Sequence, residues 1–301
     1  MMIRPLYITS AADLRTSPEA KGEGFLTQAL AKSGEKAVPY VTKAKALMTA
    51  LSSGVSIDEL LADTTFRDDL IVAAGLSNKA RKYFTEEQLD ERVREVLTTI
   101  AGSAGGRWPE EIVYRYLLTR GDSLGGEMRN WVGANAQRQF SSALKDFLPT
   151  GRVLETSDKE SGKLRRLDWD ARRIYFDAKP RFIGNNVDVI LVDTTLADAS
   201  SNVNLLEEPR AYLAAGELKG GIDPAGADEH WKTARSALER IRACFNKLEI
   251  VVPQLFFVGA AIEERMSNEI FGDLRNGTLN HAANLTEQEQ VEDLAQWLVS
   301  L

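Results

Sequence analysis

Apolar positions along the chain change period near residue 150. Over residues 10–105 they recur every three or four residues, the spacing that lays one stripe of a helix on a core. Leu89, Val93, Val96, Leu97 and Ile100 form the clearest such face, and Thr85-Glu86-Glu87-Gln88 ahead of them is a capping box. Ala44 to Leu51 predicts another helix, and Ser56-Ile57-Asp58-Glu59-Leu60-Leu61 opens a third with a cap-like Ser and early acids. No alternating segment interrupts this half. It predicts a helical subdomain over residues 1–105, with a turn-rich boundary at Ala101-Gly102-Ser103-Ala104-Gly105-Gly106. Pro109-Glu110-Glu111 starts a further helix with Ile112, Val113, Tyr116 and Leu117 on its apolar face. In Arg120-Gly121-Asp122-Ser123-Leu124-Gly125-Gly126-Glu127-Met128-Arg129-Asn130 the Gly pairs predict a turn that enters a helix running towards Leu148. Two readings stand for it: a helix N-terminus whose N–H groups meet phosphate, or a tight helix–helix turn.

From Arg152 the period becomes two. Arg152 to Glu155, Lys163 to Trp169 and Arg173 to Phe176 predict short strands, with turns at Gly162 and Asp170-Ala171. Val187 to Asp193 and Ala211 to Ala215 are apolar enough for buried strands. Glu249 to Gly259 predicts another, bent by Pro253. Asp228 to Lys247, Ile262 to Leu274 and Glu287 to Leu301 predict helices, the first burying Ala234, Ala237, Leu238 and Ile241. Strands interleaved with helices give an α/β fold with a mixed-sheet core over residues 106–301.

The chemistry concentrates in Gly216 to Trp231. Side chains i and i+2 of a strand share a face, so Glu217 and Lys219 point one way and Leu218 the other. Two glycines follow, Gly220 and Gly221, which let something approach the backbone closely. Asp188 opens the preceding buried strand. An Asp on one strand and Glu-x-Lys on the next suit phosphodiester hydrolysis assisted by a divalent cation, and Mg²⁺ takes one or two carboxylates plus phosphate and water. Asp188 and Glu217 are its candidate ligands, with Asp193 as the rival for Asp188. Lys219 can hold the attacking water or neutralise charge on phosphorus, or Glu217 and Lys219 can be a plain surface ion pair. His230, eleven residues beyond Lys219, is a candidate proton acceptor, because histidine titrates near ~6.5 and lysine only near ~10.4. It is expected at the start of a helix, after a loop from Gly220 to Glu229 long enough to fold back. Asp228 and Glu229 are expected to cap that helix. Asp223, between Gly-Gly-Ile and Pro224, is a turn-forming Asp.

Asp188, Glu217-Leu218-Lys219 and the run Gly220 to His230 resemble the type II restriction endonucleases of the PD-(D/E)XK superfamily, in particular the AvaI/BsoBI group. The superfamily's Pro-Asp is Val187-Asp188 here. The resemblance implies a restriction-endonuclease-like core, with Asp188 and Glu217 binding Mg²⁺, Lys219 catalytic, and His230 assisting as a base. It places the Asp223 loop near DNA and the helical half around it. It implies a six-base palindrome with a degenerate position as the site, and a cognate DNA methyltransferase in the same system. The run Gly121 to Asn130 is also similar to a segment of several restriction endonucleases. Cutting both strands of a palindrome calls for a homodimer with two-fold symmetry.

Composition narrows this further. The net charge of −7 argues mildly against a non-specific nucleic-acid coat. It is unevenly spread: Arg129 to Arg181 is basic by five charges, and the chain from Glu263 onward is acidic by six. A basic middle fits one face turned to double-stranded DNA; chance clustering on a solvated surface fits the charge equally. Arg129, Lys163, Arg165, Arg166, Arg172 and Arg173 are candidate contacts to phosphate or to guanine edges. The single Cys244 excludes an internal disulfide and suits a reducing cytoplasm. No apolar run approaches membrane-helix length, and Met1 to Tyr7 lacks the apolar core of a signal peptide. Rival functions are a repair or junction-cutting nuclease of the same superfamily, a catalytically silent DNA-binding protein, and a small-molecule enzyme with an acidic metal site.

Overall fold

The structure, a computed structural model, describes residues 5–149, 153–198 and 204–301. Met1 to Arg4 and Arg152, which figure in the sequence reading, lie outside the described residues. The chain divides into two compact units, residues 26–130 and residues 1–25 with 131–301.

Helices α1 (Pro18–Leu30), α2 (Val38–Ser52), α3 (Ile57–Ala62), α4 (Thr64–Ala73), α5 (Asn78–Arg81), α6 (Glu86–Ala104) and α7 (Trp108–Asp146) precede every strand. The capping signals work as the sequence predicts. Ser56 accepts from Glu59 N at 3.2 Å while Glu59 accepts from Ser56 N at 2.8 Å, and Thr85 and Gln88 do the same for α6. Leu89, Val93 and Leu97 of α6 enter the core of residues 26–130 with Leu47, Leu70, Ile71, Ile112 and Tyr116. Val96 and Leu117 do not; both are exposed.

The expected turn at Gly121 to Gly126 is absent. Helix α7 runs unbroken through it. A glycine costs a helix only about 1 kcal/mol, and burial holds this stretch on both sides of the glycines. Leu124 and Met128 are buried, and the Arg120 guanidinium lies 5.4 Å from the ring centres of both Tyr40 and Tyr116. With no helix terminus here, neither reading offered for the run holds.

The second unit is built on one seven-stranded sheet in sequential order: β1 (Leu154–Ser157), β2 (Leu164–Trp169), β3 (Arg172–Ala178), β4 (Val187–Asp193), β5 (Tyr212–Lys219), β6 (Gln254–Gly259) and β7 (His281–Asn284). Pairing is antiparallel from β1 to β5 and parallel from β5 to β7. One expectation fails here, and one strand has no counterpart in the sequence reading. Strand β6 starts at Gln254 rather than Glu249, because Pro253 has no N–H for a ladder and Glu249 sits at φ 55. Strand β7 has only four residues and no alternating pattern; it forms because it lies along β6.

Short helix α8 (Thr195–Asp198) follows β4, and α9 (Pro224–Lys247), α10 (Glu264–Asn276) and α11 (Gln288–Ser300) complete the unit. Alternation along the strands sorts the core into two layers. Ile190, Ala215, Leu255 and Phe257 face α9 and α10 through Trp231, Ala234, Leu238, Met266 and Ile270. Val189, Leu191, Ala214, Phe256 and Val258 face the C-terminal half of α7 and α11 through Phe140, Leu144, Leu294 and Leu298. This mixed α/β core, with a helical N-terminal region, is that of the restriction-endonuclease-like fold. Among the described residues no helix is long and apolar enough to cross a membrane.

Candidate active site

Strands β4 and β5 are neighbours, and the start of one meets the end of the other. Asp188 shares a face with Ile190, and Glu217 and Lys219 share one with Ala215, so all three turn to the α9 side of the sheet. The Lys219 Nζ donates to Asp188 Oδ2 at 2.9 Å and to Glu217 Oε2 at 2.7 Å. Leu218 N donates to the same Asp188 oxygen at 2.9 Å. That backbone donor was not anticipated, and no side-chain signal could have announced it.

Glu217 is 3% exposed, and its Oε1 is buried without a hydrogen-bond partner among the described residues. Burial, reinforced by the Asp188 charge, pushes its pKa up to about 7 against the pull of Lys219. For Lys219, burial works downward, but Glu217 and Asp188 outweigh it and hold the ammonium above its ordinary value. Lys219 is therefore a fixed cation and a poor base.

Asp193 sits at the other end of β4. It accepts from Thr195 N at 2.8 Å and lies 3.6 Å from Arg172, its cross-strand partner. Burial raises its pKa, but the Thr195 donors and Arg172 bring it below the usual carboxylate range. Geometry therefore groups Asp188, not Asp193, with Glu217 and Lys219.

Helix α9 begins four residues earlier than expected. Asp223 is its N-cap, accepting from Ala225 N at 2.9 Å, and Pro224 follows at the position where a missing N–H costs nothing. Asp228 and Glu229 thus lie inside the helix, and Asp228 pairs with Lys232. The long loop expected before His230 shrinks to Gly220–Asp223. His230 stands in the second turn of α9, with its imidazole against Gly221. It makes no hydrogen bond or ion pair among the described residues.

The basic candidates are mostly neutralised where they stand. Arg165 lies 2.9 Å and Lys163 3.2 Å from Asp177. Arg166, 2.7 Å away, and Arg173 both pair with Asp168, and Arg173 is its cross-strand partner. Arg172 donates to Leu301 O at 2.9 Å besides facing Asp193. Arg129, on α7 in the other unit, is exposed and has no acidic partner among the described residues. Asp223 is exposed.

The family resemblance implies a divalent cation, and the donor set fits one. Two carboxylates from adjacent strands offer hard oxygen ligands, and Glu217 Oε1 is a buried acceptor with no donor among the described residues. Among the described residues no cluster of three His, Cys, Asp or Glu side chains exists. Asp188 and Glu217 would hold the ion, and water and phosphate would complete its shell, the habit of Mg²⁺.

The family model described as restriction endonuclease BsobI matches residues 6–301. The type II restriction enzyme BsoBI of Geobacillus stearothermophilus is 35% identical over 98% of this chain and 97% of its own length. The type II restriction enzyme AvaI of Nostoc sp. is 37% identical over 98% of each chain, and that of Anabaena variabilis matches equally. Matched in this way over almost its whole length, the chain belongs to the BsobI restriction endonuclease family and is a type II site-specific endonuclease.

Proposed function

We propose that the protein hydrolyses phosphodiester bonds of double-stranded DNA at a palindromic sequence, with Mg²⁺ as cofactor and Asp188, Glu217, Lys219 and His230 as its machinery. The observation that carries the reading is the contact of Lys219 Nζ with carboxylates from two adjacent strands, one of which keeps a buried oxygen unpaired. Asp188 and Glu217 hold the cation. When bound, the cation supplies Lewis-acid polarisation of the phosphoryl oxygen and makes water more acidic. Lys219, kept protonated by its two carboxylates, neutralises charge that builds on phosphorus. His230, eleven residues beyond Lys219 and without a hydrogen bond among the described residues, accepts the proton of the attacking water.

A palindrome cut on both strands is served by a two-fold homodimer. Residues 106–301 carry the nuclease chemistry, and the helical region 1–105 helps to surround the DNA. Arg129, Arg165, Arg166, Arg172, Arg173 and Asp223 remain the candidates for DNA contact. A cognate DNA methyltransferase that protects the host sequence, and a cytoplasmic setting, complete the reading. The test is incubation with phage DNA and Mg²⁺ followed by end-sequencing of the fragments. Discrete bands whose ends share one palindrome support it. Random degradation, or cleavage only at branched junctions, replaces it with another nuclease activity.

A further inference from the structure

Asp188, Glu217 and Lys219 orient one another through hydrogen bonds, whereas His230 has none among the described residues. An imidazole without a polar partner is aimed only by what it packs against. Gly221 and Gly226 both lie beside this ring. A Cβ built on Gly221 would stand 2.5 Å from His230 Cε1, 3.2 Å from Nδ1 and 3.7 Å from Nε2. Non-bonded carbons settle at about 3.5–4.0 Å, so a methyl group and the ring cannot both keep these positions. The other glycine beside the ring, Gly226, is looser: a Cβ there would meet Nε2 at 3.5 Å, an ordinary contact.

The loop itself has little freedom to move away. Lys219 O accepts from Ala260 N at 2.8 Å. At Gly220 an added Cβ would lie 2.5 Å from Ala136 Cβ and 2.9 Å from Val132 O, so α7 presses on the backbone there. Ile222 is buried, and Asp223 is tied to the first turn of α9. Gly221 is thus pinned on both sides. It is not among the glycines with positive φ. Its backbone therefore suits any L-residue, and the close obstacle to a side chain is the imidazole.

We propose that Gly221 is a positioning residue for the cleavage reaction: its bare α-carbon is the seat that aims the His230 imidazole beside the strand end bearing Glu217 and Lys219. The proposal rests on the reading of His230 as proton acceptor. It extends that reading to a residue with no chemistry of its own.

Three variants test it: Gly221→Ala, His230→Ala and the double variant. Two readouts are needed. One is the single-turnover cleavage rate with Mg²⁺ on a phage DNA fragment whose sites have been mapped. The other is the His230 ring resonance, identified by its loss in His230→Ala. Gly221→Ala is expected to shift that resonance and slow cleavage by at least about tenfold, towards the ~10²–10⁴-fold loss typical of a missing general base. With the imidazole gone, the added methyl has room, so the double variant should cleave no more slowly than His230→Ala. Losses that multiply in the double variant would assign Gly221 to the loop alone and overturn the proposal. So would a Gly221→Ala protein with wild-type rate and an unmoved resonance. If Gly221→Ala fails to fold, a folded double variant still supports the seat, and an unfolded one overturns it. Should His230→Ala cleave at the wild-type rate, the proton-acceptor reading fails; the resonance in Gly221→Ala then decides separately whether the seat exists.

Discussion

The strand end at Asp188 and the hairpin of β2 and β3 both crowd charges onto one sheet, yet they treat them differently. On the hairpin every basic candidate has an acid within reach, much of it set by register: Asp168 lies directly across from Arg173, and Arg172 directly across from Asp193. Opposite charges facing each other across a ladder stabilise the pair. At the strand end, two carboxylates share the Lys219 ammonium, and one oxygen of Glu217 has no partner among the described residues. The hairpin spends its charges on structure. The strand end holds acceptors in reserve, as a site that must receive a cation would. The basic segment thus offers fewer unpaired charges than its sequence suggests, while the strand end keeps a carboxylate oxygen unpaired among the described residues.

The strongest way to break this contrast is at Glu217. Glu217→Ala should abolish cleavage with Mg²⁺ while DNA binding, read by gel shift without metal, is largely kept. A variant cutting at near wild-type rate would remove Glu217 from the mechanism. The isosteric Glu217→Gln should not lower the thermal midpoint, since the carboxylate it replaces is buried, lacks a partner for one oxygen and has its pKa pushed up to about 7. His230→Ala comes next. Its cleavage rate should fall by about 10²–10⁴, with binding retained and the acid limb of the pH–rate profile lost. An unaltered rate and profile would make His230 structural.

On the hairpin the expected effect is on folding instead. Asp168→Ala strands two guanidiniums, Arg166 and Arg173, that now share one acid. Leaving charged donors without a partner should cost about 1–3 kcal/mol, seen as a lower urea midpoint at unchanged slope. A midpoint equal to wild type would mean that water satisfies both arginines, and the hairpin pairs would then carry no structural weight.

How far the sequence revealed each region follows from the range of the interactions involved. The strand alternation that groups Glu217 with Lys219, and the apolar run that makes β4 a buried strand, are local and could be read directly. So could the capping box at Thr85 and the cap at Ser56. The pairing of Arg173 with Asp168 could not, because it depends on a register that only the folded hairpin fixes. Strand β7, with the sequence His-Ala-Ala-Asn, has no strand signal apart from its neighbour β6. The Gly pairs of α7 mislead because a local cost of about 1 kcal/mol each is outweighed by burial of Leu124 and Met128. The start of α9 is legible in Asp223-Pro224, an N-cap followed by a first-turn proline, although the acids at 228 and 229 offer a competing cap signal further along.

The smallest expected effect is also the cleanest comparison of paired with unpaired charge. Each phosphate neutralised by a protein cation contributes about −0.9 to the slope of log affinity against log salt on duplex DNA. Arg129 is exposed and has no acidic partner among the described residues, so its charge is available to a phosphate without breaking anything. Arg173 must first leave Asp168 and the Tyr175 hydroxyl, which it donates to at 3.1 Å. Moving to phosphate would exchange one anion for another and leave Asp168 with Arg166 alone. Arg129→Ala should therefore flatten the salt slope by about 0.9, and Arg173→Ala should leave it unchanged within error. The measurement is equilibrium binding over a salt series with Ca²⁺ in place of Mg²⁺ to prevent cutting. If Arg173→Ala flattens the slope and Arg129→Ala does not, the hairpin pairs open on DNA. The hairpin charges would then be held in reserve as well, and the contrast between the two regions would describe the free protein alone.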